Sequence, residues 1–125
     1  MDERQRMTGR IFLIHWHALE AAELATPLEQ AGWQVETEAE DGARAGKRLL
    51  ANPPVAAVIY LTRLPSHGRE TAHVLRSSKA GRTIPIVFVD GAEEKVATVR
   101  EKVPDGIFTT SARLQQVLER LESHG

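Results

Sequence analysis

The segment Val55-Ala-Ala-Val-Ile-Tyr-Leu61 is unbroken apolar chain, rich in β-branched residues and without a charge. A run so short and so continuous predicts a strand buried on both faces, as in the middle of a parallel sheet. The next stretch, through Leu64-Pro-Ser-His-Gly68, turns polar, with Pro65 and Gly68 as backbone punctuation. A helical pattern follows from Arg69 to Ser78. The expectation is a central strand running into a loop at its carboxyl end, where open α/β sheets build their sites.

The rest of the chain repeats this alternation. Arg10 to Ile14 is a second apolar run, ended by His15, Trp16 and His17. Ala18 to Ala31 has Leu24, Leu28 and Ala31 at helical spacing, with Pro27 expected to kink or interrupt the helix and Gly32 to close it. Trp33 to Ala39 alternates, with Gln34, Glu36 and Glu38 on the polar side, which predicts a half-buried edge strand. Asp41-Gly42 is a turn, and Ala43 to Ala51 a short helix stopped by Asn52-Pro53-Pro54. Lys79 to Thr83 is a loop. Ile84 to Val89 is a strand that tolerates Pro85 at its start.

Asp90-Gly91 turns the chain into a helix over Ala92 to Val103, with Val96, Val99 and Val103 in register. Asp90 and Glu93 have the spacing of a capping box for that helix. Ile107 to Thr110 is the last strand. Ser111 is placed to cap a closing helix striped by Leu114, Val117, Leu118 and Leu121. Five βα units predict a flavodoxin-like (βα)5 three-layer sandwich over residues 10–123. Its parallel sheet should have the order 2-1-3-4-5, and residues 1–9 form a polar lead-in.

Composition narrows the function classes. The chain has 125 residues, enough for one domain with a substantial core. Lys plus Arg is 16 and Asp plus Glu 17, a balance of -1 that argues against nucleic-acid binding. The absence of cysteine excludes disulfides, thiolate metal sites and a cysteine nucleophile. No apolar run approaches the ~18 residues that span a bilayer, and Met1 to Arg6 lacks a signal-type pattern. A cytoplasmic protein is expected.

Five βα units in this length, the Glu40-Asp41-Gly42 turn, Leu64-Pro65 after the third strand and the sixteen-residue interval from Trp16 to Gly32 resemble the receiver domain of bacterial response regulators. The resemblance spans nearly the whole chain and implies a place in two-component signal transduction. It also implies where the phosphorylation chemistry would sit. The phosphoacceptor aspartate, four residues before Pro65, corresponds to Leu61. The acidic pair that holds magnesium corresponds to His15 and Trp16. The switch Ser/Thr corresponds to Asp90, and the phosphate-pairing lysine to Thr109. All five positions are replaced, and Gly68 follows Pro65 by three residues where four is commoner in the family. The resemblance therefore implies a pseudo-receiver, phosphorylation-independent and not an enzyme.

Other readings attach to the same edge. His15, His17, His67 and Asp90 all fall near carboxyl ends of strands. Imidazole and carboxylate together suit a transition metal, so the alternative is a metal- or small-ligand-binding regulator. Against it, His15 and His17 fall where the strand gives way to a loop, so strand alternation does not fix them on one face, and the pattern matches no recognised ligand spacing. His15 also reads as a hydrogen-bonded core histidine, His17 and His67 as solvated, and Tyr60 as core. Arg63, Arg69, Arg76, Lys79 and Arg82 gather around the third unit as an anion site or a solvated face. No glycine-rich phosphate loop is present, so a nucleotide enzyme is disfavoured, and no cofactor is expected. The expected partner is a signalling protein or a second copy. For that contact the resemblance implies the fourth helix, fifth strand and fifth helix.

Overall fold

The computed structural model describes residues 9–40, 42–62 and 65–124, without the side chains of residues 42, 65–69, 123 and 124. The lead-in residues 1–8, Asp41 of the second turn, and Arg63 and Leu64 lie outside the described residues.

Five strands form one parallel sheet: β1 (Arg10–Ile14), β2 (Gln34–Glu38), β3 (Ala56–Tyr60), β4 (Ile86–Val89) and β5 (Ile107–Thr109). Their order is β2-β1-β3-β4-β5, as the alternation predicts. Every residue of β3 is buried, because strands flank it on both sides and helices cover both faces. The helices are α1 (Ala18–Gln30), α2 (Gly42–Ala51), α3 (Pro65–Arg76), α4 (Glu93–Lys102) and α5 (Leu114–His124).

The period-two alternation of strand side chains divides the core. One face carries Phe12, Ile14, Ile59, Leu61 and Phe88 against Leu49 of α2, Leu75 of α3 and Val99 of α4. The other carries Ile11, Leu13, Val58, Tyr60 and Val89 against Ala21 and Leu28 of α1 and Leu118 of α5. Helix α1 passes through Pro27 without interruption. It ends in a Schellman arrangement, with Gly32 at φ 103°, its N–H donating to Glu29 and the Trp33 N–H to Leu28.

Two local expectations are corrected. Helix α3 begins at Pro65, not Arg69. Proline suits the first helical position, where its missing N–H has no intrahelical acceptor to lose, so Pro65 starts this helix and Gly68 lies within its first turn. On β2, Glu38 is 4% exposed although the alternation puts it on the polar side. Arginines from α2 neutralise it there.

Candidate functional site at the carboxyl edge

At the end of β3, Leu61 is 1% exposed and belongs to the core cluster on the α2–α4 face. Its backbone N–H donates to Val89 O at 3.0 Å, extending the ladder one residue beyond the strand. Opposite it, Gly91 has φ 101°, and a Cβ there would stand 2.7 Å from Leu61 Cβ. The isobutyl group fills this corner of the edge. Trp16, 7% exposed, packs into the same cluster.

His15 follows β1 and is 2% exposed. Its Nε2 lies 3.3 Å from Glu20 Oε1, and its ring centroid 5.4 Å from that of Tyr60. His17 caps α1: its Nδ1 accepts from the Glu20 N–H at a long 3.4 Å and lies 3.6 Å from Glu20 Oε2. The two histidines thus converge on one carboxylate. Asp90 stands on a different strand end, and the side chain of His67 is outside the described residues. No group of three or more His, Cys, Asp or Glu among the described residues is arranged to hold a metal.

Tyr60 is buried beside this edge, in agreement with its reading as core. Burial, followed by the charge of Asp90, pushes its phenol up to about 12. Asp90 does not cap α4. The N-cap is Ala92, without a side-chain hydrogen bond. Asp90 instead adopts a left-handed φ of 58° and faces Ser111. Its Oδ1 accepts the Ser111 N–H at 3.1 Å, and its Oδ2 accepts the Ser111 hydroxyl in a short hydrogen bond. Its own N–H donates to Thr109 O at 3.1 Å. Ser111 is correspondingly not the cap of α5, which begins at Leu114.

Beside this pair an open cleft of about 270 Å³ separates α4 from β5, lined by Asp90, Gly91, Val96, Arg100, Phe108 and Thr110 among others. The Arg100 guanidinium lies 4.6 Å above the Phe108 ring, which stacks on Phe88 with centroids 5.0 Å apart. Of the basic cluster, Arg76 is committed internally. It pairs with Asp105 at 2.8 Å and donates to the carbonyls of Gly81 and Ile84. The side chains of Arg63 and Arg69 are outside the described residues.

Neither a family model nor a curated protein sequence matches the chain. Solved structures do match. The receiver domain of a sensor histidine kinase from Pseudomonas aeruginosa, with magnesium in its active-site cleft, superposes with a TM-score of 0.73 at 22% identity. The match covers 93% of this chain and 98% of that one. The chain has the receiver-domain fold. A receiver domain of a histidine kinase from Syntrophus aciditrophicus matches with a TM-score of 0.73 at 23% identity, covering 94% of this chain and 92% of that one. A chemotaxis protein from Vibrio cholerae gives 0.74 at 17%, covering 91% and 98%.

On the receiver fold the carboxyl edge is where magnesium would be held. The residues present do not fit it. Magnesium takes hard oxygen ligands, and the positions at issue carry a buried imidazole, an indole and an isobutyl group. Glu20, the nearby carboxylate, is engaged by His15 at 3.3 Å.

The sequence reading missed two features. The first is an ion-pair ladder on the β2 edge. Arg44 donates to Glu38 from Nη2 at 2.7 Å and from Nε at 3.0 Å, and Arg48 reaches Glu38 at 3.0 Å. Arg48 also pairs with Glu36, which Arg10 meets at 2.7 Å. Its sequence signals were the i,i+4 spacing of Arg44 and Arg48 and the placement of Glu36 and Glu38 on one side of β2. The second is the Asp90–Ser111 bridge, which joins residues 21 apart and has no local signature.

Proposed function

We propose that this chain is a phosphorylation-independent receiver-like domain that acts in signal transduction through protein–protein contact and not by catalysis. The observation that carries the reading is Leu61. By the resemblance it stands where the phosphoacceptor would be; it offers no nucleophile, is 1% exposed and packs against Gly91. The cleft between α4 and β5, with Phe108 half-buried and Arg100 exposed over it, is the part of the proposed α4–β5–α5 contact face that offers both apolar area and charge.

The test is exposure of the protein to acetyl phosphate, or to beryllium fluoride with magnesium, followed by amide NMR spectra and intact mass. Unchanged mass and unshifted amides around residues 15, 61, 90 and 109 are expected. A saturable shift at those residues, or a stable mass increase of one phosphoryl group, overturns the proposal.

A further inference from the structure

Two loops converge on the upper end of the α4–β5 cleft. One, residues 90–92, joins β4 to α4, and the other, residues 110–113, joins β5 to α5. Both contribute to the lining, through Asp90, Gly91 and Thr110. The Asp90 carboxylate ties them together by accepting both the backbone N–H and the hydroxyl of Ser111. Both bonds have an ionised acceptor, which makes them stronger than neutral ones. Asp90 makes them from a left-handed backbone, which costs an ordinary residue strain but which aspartate tolerates. Helix α4 gains no side-chain cap in exchange.

A carboxylate that forgoes the cap three residues ahead and reaches instead across to the next loop is placed to fix the distance between them. We propose that Asp90 and Ser111 form a latch that holds the α4–β5 cleft in one shape without a bound group or a modification. The purpose of the latch rests on the proposed function, which assigns this face to a partner. Its existence does not. The only side-chain bonds that join these two loops among the described residues are those from Asp90.

Hydrogen–deuterium exchange of the full chain tests the latch. Ser111→Ala removes one bond from an exposed position, Asp90→Ala removes both, and Asp90→Asn keeps an acceptor for the N–H and a donor for the Ser111 oxygen. Exchange should quicken in both loops and in the first turn of α4, about tenfold for Asp90→Ala and about threefold for Ser111→Ala. The double variant should be no faster than Asp90→Ala alone, and Asp90→Asn should stay near the wild type. Quickening confined to the substituted loop, or additive effects in the double variant, overturns the proposal. If Asp90→Ala fails to fold, Ser111→Ala and Asp90→Asn still decide it. The phosphodonor experiment bears on the proposed function alone, so the two failures are distinguishable.

Discussion

A methyl group on Gly91 would stand 2.7 Å from Leu61 Cβ, closer than two carbons can approach. The residue at the end of β3 and the backbone after β4 are in this sense fitted to each other. Gly91 is also at φ 101°, where a side chain is strained in any case.

Substitution at either partner should therefore cost stability. Leu61→Ala is expected to lose about 2–4 kcal/mol through the cavity it leaves. Gly91→Ala is expected to lose about 1–3 kcal/mol. Leu61→Asp should lose at least about 3 kcal/mol, because the new carboxylate is buried among apolar groups without a partner. Urea denaturation measures all three. A Leu61→Asp variant as stable as the wild type would show that the corner has room for a charged acceptor.

The Glu38 carboxylate is almost fully buried, while Arg44 and Arg48 keep 52% and 39% of their side chains exposed. The asymmetry decides which deletion is worse. Glu38→Gln leaves two guanidiniums that water can reach, and should cost about 1–2 kcal/mol. Replacing both Arg44 and Arg48 by alanine leaves the buried charge without its guanidinium partners, and should cost about 3–5 kcal/mol. Thermal or urea unfolding of the two variants checks the order. The reverse order would mean that Glu38 is solvated in the folded chain.

The raised Tyr60 phenol has a pH signature. In the unfolded chain it ionises near 10.0, in the folded chain near 12, so folding favours the protonated form. The tyrosine's contribution is complete below pH 10, is lost as pH rises towards 12, and changes little beyond. Two units correspond to about 2–3 kcal/mol. Urea midpoints of wild type and Tyr60→Phe at pH 9 and pH 12 isolate the effect from other alkaline titrations. The wild type should lose that much more than the variant, and equal losses would place the phenol in water.

Much of the site could be located before it could be understood. The uncharged run ending at Leu61 marked the central strand, and leucine carries no nucleophile. His15 could be placed at a strand end, but not its approach to Glu20 and Tyr60, since those contacts come from a helix and from a neighbouring strand. Asp90 shows the limit most clearly. Local spacing to Glu93 predicts a helix cap. The carboxylate instead bonds Ser111, which the sheet brings close by setting β5 beside β4.

Sequence alone determined the five βα units, the burial of β3 and the absence of a nucleophile on residue 61. Those properties depend on side-chain chemistry and on periods of two and 3.6 residues, which a linear string records. Tertiary structure decided that Glu38 is buried among arginines, that Gly91 closes on Leu61, and that Asp90 joins two loops. Each of these depends on distances between segments remote in the chain, which only the register of neighbouring strands and the packing of helices across them can set.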